Sequence, residues 1–358
     1  MLKLIPRIPL YFLSRKFGIP QILPINLTFS ISYKCNSKCK TCNIYKKKAA
    51  ELTLDEWRNI FSNFGKNLFW ATISGGEPFL KNDIEDLVCC LYDHCQPAII
   101  NIPTNGLLND RIPLVVKKIA GHCKKSQIVI NVSIDDIGEK HDIIRGVPGS
   151  YEKAVETVAA LKSLKISNLS VGIHTVISKF NVSRIPEIYS QIQKLGPDSY
   201  ITEIAEERVE LDTIGTEISP EYIEYEKAVN FLSKKLKQED FKKIGKITRA
   251  FRIEYYKIVK KILKTRSQVI PCYSGIVSAQ IAPDGDVWAC CIKADPIGNL
   301  RDANYDLKKI MFSDKAKSIR KSIKKGECFC PLANAGYTNM LLNFKSLCQV
   351  GLNLVRKK

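Results

Sequence analysis

Three cysteines in eight residues, Cys35-Asn-Ser-Lys-Cys39-Lys-Thr-Cys42, are the side chains of this sequence best suited to chemistry. They follow an alternating apolar run, Leu27-Thr-Phe-Ser-Ile-Ser-Tyr33, that reads as a strand. Thiolate sulfur suits zinc or an iron–sulfur cluster. Three thiolates leave a fourth coordination position open, and an open position separates a reactive metal site from a closed structural one. Ser74-Gly-Gly-Glu-Pro78 closes the next predicted strand, and its paired glycines let backbone approach a ligand closely. Later cysteines, from Cys272 to Cys330, offer a second set of thiols. Cys89, Cys90, Cys95 and Cys123 fall on helical patterns and read as core, while His174 sits in an apolar strand as either a structural or a proton-transfer histidine.

The elements that position these residues alternate. Strand patterns at Phe69–Ser74, Ile99–Pro103, Ile128–Ile134, Leu169–Val176 and Ser199–Ala205 are separated by helical patterns at Asn82–His94, Arg111–Gly121, Tyr151–Leu164 and Ser183–Leu195. A capping box, Thr53-Leu-Asp-Glu56, opens a further helix that runs to about Phe64. With the strand before Cys35, six strands joined by crossover helices predict an α/β fold with a parallel sheet. The candidate residues fall just after successive strands, at the rim where such folds place chemistry. Repeated prolines limit residues 1–25 to a short helix near Tyr11–Lys16 and an extended lead-in. Residues 220–268 read as a basic amphipathic helical bridge, followed by short strands at Ala279–Ala282 and Val287–Cys290 around Pro283-Asp-Gly-Asp286, and then a C-terminal helix.

Charge narrows the partners. The chain of 358 residues has a formal net charge of +19 and a hydrophobic fraction of 45%, enough for a real core. The excess favours an anionic partner or a solvated lysine-rich surface. Residues 1–34 and 331–358 hold basic side chains and no acid, which raises contact with an anionic membrane surface. No interleaved aromatic platform supports a nucleic-acid partner. No secretory signal and no apolar run of spanning length is evident, so the expected location is the cytoplasm, with peripheral membrane contact as an option. There, cysteines serve as ligands or buried thiols rather than disulfides.

Taken together, the motifs resemble those of the radical S-adenosylmethionine (SAM) superfamily over about residues 26–205. Cys35, Cys39 and Cys42 match its cluster motif, and Gly75, Gly76, Glu77 and Pro78 its second motif. Thr104-Asn105-Gly106, Ser133-Ile-Asp135 and the segment from His141 through Arg145 to Tyr151 follow in order. The resemblance implies a partial (β/α)6 TIM-type barrel and a 4Fe–4S cluster on the three cysteines, with SAM on the fourth iron. An electron from a low-potential donor such as ferredoxin or flavodoxin would cleave SAM to methionine and a 5′-deoxyadenosyl radical. Gly75, Gly76, Glu77 and Pro78 would then form the SAM methionine site, with Arg145 for its carboxylate. Asn105, Ser133 and Asp135 complete the cofactor-binding set, the last two within reach of ribose or substrate. Thr41 departs from the aromatic residue usual before the third cysteine, and Tyr45 is near enough to substitute.

The second array resembles the SPASM or twitch extension. Twelve residues separate Cys272 from Gly285, Gly285-x4-Cys290 follows, and Cys328-x-Cys330 closes it. The match is partial, and it implies one auxiliary 4Fe–4S cluster on Cys272, Cys290, Cys328 and Cys330, with Cys291 the alternative to Cys290. A zinc site or free thiols is the competing reading. The expected organisation is a lead-in over 1–25, a radical SAM core over 26–215, a helical bridge over 216–268 and a small α+β iron–sulfur domain over 269–358. The expected substrate is a peptide or protein, with a lipid-linked or membrane-associated molecule as the alternative. A non-catalytic zinc-binding protein is the alternative of another class.

Overall fold

The computed structural model describes residues 5–238 and 244–355. Six strands lie side by side in chain order: β1 (Asn26–Ser30), β2 (Trp70–Ser74), β3 (Ile99–Thr104), β4 (Gln127–Ser133), β5 (Leu169–Ile177) and β6 (Ser199–Ile204). All five pairings between them are parallel. Parallel neighbours need crossovers, and helices supply them. After α1 (Ile8–Phe17) come α2 (Leu54–Phe64), α3 (Ile84–Cys95), α4 (Arg111–His122), α5 (Glu139–Arg145), α6 (Ser150–Ser163) and α7 (Ile185–Lys194). This is the expected α/β architecture. Strands β1 and β6 do not pair among the described residues, so the barrel is open.

Alternation along the strands builds the core. Ile100, Ile102, Ile128, Ile130 and Val132 are fully buried in one apolar cluster with helix residues such as Val116, Ile119 and Leu161. Their neighbours Asn101 and Asn131 lie on the opposite face and hydrogen bond to each other at 2.7 Å. Strand β1 is buried throughout, and Phe29 packs edge-on against Trp57 and Phe61 of α2.

The basic bridge is two helices, α8 (Tyr222–Gln238) and α9 (Ile244–Thr265), each burying an apolar stripe, as Tyr225, Val229 and Leu232 do in α8. Residues 239–243 of the expected bridge lie outside the described residues. The C-terminal segment then returns to the sheet. Strand β7 (Ser278–Ile281) pairs in parallel with the free edge of β1, Asn26 opposite Ser278. Strands β8 (Asp286–Trp288) and β9 (Pro296–Asn299) add antiparallel, giving one nine-stranded sheet. An open β1 edge would leave a row of backbone donors and acceptors unpaired, and β7 covers it. Four more helices close the chain: α10 (Leu307–Met311), α11 (Asp314–Lys325), α12 (Ala333–Leu341) and α13 (Phe344–Val355). The single C-terminal helix expected from sequence is therefore two helices, α12 and α13.

One ion pair fastens the two parts. Thr53 and Glu56 form the reciprocal capping box of α2. Arg301 donates two hydrogen bonds to the Glu56 carboxylate, at 2.6 and 3.1 Å, and the Tyr305 hydroxyl adds a third at 3.1 Å. The hydrogen bonds from Arg301 are the main cause lowering the Glu56 pKa from 4.5 to about 2. A lowered folded-state value means the unfolded chain binds the proton first as pH falls. The stabilisation is complete above pH 4.5 and is lost as pH drops towards 2. Replacing Glu56 with Gln is expected to flatten the fall of stability over that window, measured by urea unfolding at a series of pH values. An unchanged slope would show that the pair contributes nothing.

Candidate functional site

The first cysteine loop leaves the C-terminal end of β1 and is fastened on three sides. Gly76 and Glu77 donate backbone hydrogen bonds to the carbonyls of Ser32 and Lys34, at 2.8 and 2.9 Å. The end of α5 receives Lys38 and Lys40 through the carbonyls of Arg145 and Ile144, at 3.0 and 2.8 Å. Asn43 donates to the carbonyl of Leu211, beyond β6, at 2.9 Å. Each sulfur accepts one N–H: Cys35 from Ser37 at 3.4 Å, Cys42 from Ile44 at 3.4 Å, and Cys39 from the Arg145 guanidinium at 3.7 Å.

Burial pushes the Cys35 thiol up to about 11 and that of Cys42 up to about 12, and it raises Cys39 despite the nearby Arg145. Alone, these thiols stay protonated at neutral pH. Bound iron would invert that logic by stabilising the thiolates. Among the described residues, no three His, Cys, Asp or Glu side chains are grouped as a single metal ion requires. A donor set of three soft sulfurs, each with a hydrogen-bond donor, fits an iron–sulfur cluster, which takes its thiolates around a cage rather than a point.

The glycine turn is forced by close approach. A Cβ on Gly75 would stand 2.1 Å from the Ser32 carbonyl oxygen, and one on Gly76 would stand 2.2 Å from that of Lys34. Gly75 also has a φ of +126°, a region L side chains rarely adopt. Glu77 is buried with both carboxylate oxygens in use. One accepts from Phe79 N–H and the Thr104 hydroxyl, the other from Asn105 N–H at 2.7 Å. Burial raises its pKa to about 7 against those hydrogen bonds. The Glu77 side chain therefore braces β2 to β3, and what it offers a ligand is backbone. Pro78 opens the short turn of helix that follows. Asn105 also faces inward: its amide donates to Asn36 at 2.7 Å and to Ser37 at 2.9 Å, holding the cysteine loop.

Asp135 and Arg145 meet in a buried ion pair, 2.9 Å between Nε and Oδ2. The other Asp135 oxygen accepts from Val176 N–H at 2.9 Å. Asp135 is thus occupied internally and positions Arg145, whose guanidinium points to Cys39 and lies beside the first loop. Ser133 ends β4 opposite His174 of β5. The His174 Nε2 is 3.6 Å from Glu203, and burial lowers its pKa, so the ring is neutral at pH 7. Thr41 is buried, whereas Tyr45 is half-buried beside the loop.

The second array also gathers. Cys272, Cys328 and Cys330 line one cavity beside Tyr255, Gln268 and Asn339. Cys290 lies within electrostatic reach of Cys272, Cys328 and Cys330. Cys291 instead interacts with Arg208 and Glu210 and packs with Leu332 and Ala335. Of the four cysteines expected in the core, Cys95 and Cys123 are buried and Cys89 and Cys90 half-buried. The sequence reading passed over Glu206, Arg208 and Glu210, just after β6. The available signal was the acidic run Glu206-Glu-Arg-Val-Glu210 at a strand end in a basic protein.

An open parallel barrel with a thiol triad and a glycine turn at its rim, followed by a second thiol array, defines a class. Residues 29–192 match the family model of the radical SAM superfamily, and residues 272–331 match that of the SPASM iron–sulfur cluster-binding domain. The chain therefore carries a radical SAM domain and a SPASM domain, which imply 4Fe–4S clusters and SAM as its cofactors.

Among curated proteins it is similar to the antilisterial bacteriocin subtilosin biosynthesis protein AlbA of Bacillus subtilis. The two are 24% identical over 298 residues, 79% of this chain and 59% of AlbA. It is also similar to the AdoMet-dependent heme synthase of Methanosarcina barkeri, 28% identical over 51% of this chain and 49% of that protein. The chain spans about half the length of the curated relatives it matches. Among solved structures, Streptococcus suis SuiB bound to its precursor peptide SuiA superimposes with a TM-score of 0.62 at 16% identity. That match covers 86% of this chain and 69% of SuiB, and it establishes the shared fold.

Proposed function

We propose that this protein reductively cleaves SAM and abstracts hydrogen from a peptide or protein substrate. The observation that carries this reading is the backbone bonding of Gly76 and Glu77 to Ser32 and Lys34, which seats the glycine turn against the start of the loop that carries Cys35, Cys39 and Cys42. When bound, the cluster and SAM supply an electron and a 5′-deoxyadenosyl radical. The chain's own residues do the rest. The Gly75–Glu77 backbone and Arg145 orient SAM, with Arg145 offering its guanidinium to the carboxylate. Asp135 holds Arg145 in place, and Asn105 fixes the loop that carries the cysteines. Cys272, Cys290, Cys328 and Cys330 are the proposed ligands of an auxiliary cluster, and the electron comes from a low-potential protein donor. AlbA, a bacteriocin biosynthesis protein, supports the peptide assignment, and SuiB, which shares the fold, is seen with a precursor peptide. The test is anaerobic incubation with SAM and dithionite. Formation of 5′-deoxyadenosine supports the reading, and its absence from protein with a full iron content refutes it.

A specific observation favours a second reading, a substrate carried at a membrane. Helix α1 exposes Leu10, Phe12, Leu13 and Phe17 beside Arg15 and Lys16, and α13 exposes Phe344, Leu347 and Leu352 beside Lys345. The two regions are linked, since Tyr11 and Leu342 share one buried cluster. Arg356, Lys357 and Lys358, part of the basic C-terminus, lie outside the described residues. No helix among the described residues is long and apolar enough to cross a membrane. Apolar side chains ringed by cations bind anionic bilayers at the interface. The protein is expected to sediment with phosphatidylglycerol vesicles at low salt, and a Leu13→Glu, Phe17→Glu double variant to remain in solution. Failure of the parent to sediment would eliminate this reading.

A further inference from the structure

The segment just after β6 lies between the two cysteine arrays and carries charge that the proposed chemistry leaves unused. Leu211 accepts a hydrogen bond from Asn43, next to Cys42, at 2.9 Å. On the other side, Val209 donates to the carbonyl of Ile292 at 3.1 Å, next to Cys291. Glu206 opens this segment. It is 8% exposed, and neither carboxylate oxygen has a hydrogen-bond partner. The nearest cation is Arg208, whose Nε stands 3.9 Å from Oε2, too far for a hydrogen bond. A second carboxylate, Glu203, is 3.8 Å from the same guanidinium.

A carboxyl buried with no donor is a costly arrangement, its pKa pushed up to about 7 by that burial, and a ligand that donates hydrogen bonds to it would relieve the cost. The surrounding charge specifies that ligand. Glu203, Glu206 and Glu210 lie around Arg208, Glu203 also faces Arg252, and the Lys47 ammonium donates to the backbone carbonyls of Val209 and Glu210, at 3.2 and 2.9 Å. The Asp135–Arg145 pair nearby is neutral overall, and His174 is uncharged. Three carboxyls and three cations therefore share this rim, and among the three carboxyls Glu206 is the one with both oxygens buried and without a hydrogen bond. Arg208 already stands between Glu203 and Glu206, so an added anion would meet like charge. An added cation that donates hydrogen bonds would meet two unpaired oxygens.

We propose that Glu206, supported by Glu203, binds a primary ammonium group of the substrate between the two cysteine arrays. This rests on the peptide reading for its source, a lysine side chain or a peptide N-terminus. The basic exterior then holds acidic flanking sequence outside, and Glu206 holds an amine within.

Isothermal titration of the cluster-reconstituted, SAM-loaded protein tests this with three probes. Nα-acetyl-lysine amide carries a side-chain amine, norleucine amide a terminal amine, and Nα-acetyl-norleucine amide none. One of the first two is expected to bind, identifying the source, and the third to bind at least tenfold more weakly, the loss of a charged hydrogen bond. Glu206→Gln is expected to weaken the amine by a similar factor while its thermal midpoint stays level or rises. A purely structural Glu206 would give a lower midpoint. Should that variant fail to fold, Glu206→Asp, which keeps the charge, and Glu203→Gln are expected to weaken the amine by smaller factors. Equal binding of all three probes, or unchanged amine binding in the variants, overturns the proposal. SAM cleavage is followed in the same preparation. Lost amine selectivity beside intact cleavage overturns this site alone, and amine binding without cleavage overturns the radical reading alone.

Discussion

Replacing Cys35 with Ala is expected to reduce reductive SAM cleavage to background and to remove one cluster while leaving the other. The loss follows from the donor count. Cys35, Cys39 and Cys42 are three thiols for a site that already lacks a fourth protein ligand, and two thiolates do not hold a four-iron cluster against solvent. The effect is local. Cys35 is half-buried in a loop, and its sulfur accepts one N–H bond, from Ser37, so the barrel beneath retains its packing. Far-ultraviolet circular dichroism is therefore expected to be unchanged while 5′-deoxyadenosine formation disappears. Cys89→Ala is the control, because that side chain lies on α3 away from either array. If Cys35→Ala cleaved SAM as the parent does, the first cysteine loop would not be the catalytic centre.

Gly76→Ala carries the second large effect, for a different physical reason. The added methyl would sit 2.2 Å from the Lys34 carbonyl oxygen, 2.6 Å from its carbon and 2.8 Å from the Tyr33 carbonyl oxygen. All three atoms are backbone, so no side chain can rotate away. The turn and the cysteine loop must move apart, breaking the bonds from Gly76 to Ser32 and from Glu77 to Lys34. Overpacking of this kind costs about 3 kcal/mol. SAM affinity and cluster retention are expected to fall together, with a lower thermal midpoint. Gly121→Ala in α4 is the comparison, because open space surrounds that position and alanine favours a helix by roughly 0.5–1 kcal/mol. Its midpoint is expected to hold or rise. A Gly76→Ala protein with parental stability and SAM binding would show that the close approach does not matter.

The parallel sheet was legible because each strand is a short apolar run followed by a helix-period pattern, and because Gly75–Gly76 and the first three cysteines mark the strand ends. The pairing of β7 with β1 was not. It joins residues about 250 positions apart in the register Asn26 opposite Ser278, and nothing local in either strand encodes it. Helices α10 and α11 also escaped the pattern reading. The first is five residues long, and the second has a largely Lys, Arg and Ser surface over few buried positions such as Ala316 and Ile323.

Within the site, residue types were readable but their tasks were not. Glu77, Asn105 and Asp135 carry groups suited to binding a cofactor, yet their side chains are spent on Thr104, Asn36 and Arg145. Only the hydrogen-bond geometry separates a bracing carboxylate from an available one. Glu206 is the converse case. It stands out for the partners it lacks, which sequence does not display.

The central claim is that this chain holds iron–sulfur clusters at two cysteine arrays. Anaerobic determination of iron, acid-labile sulfide and zinc in the reconstituted protein tests it most directly. The expected result is about eight irons and eight sulfides per chain, falling to about four of each in Cys35→Ala. Zinc without sulfide would contradict the account.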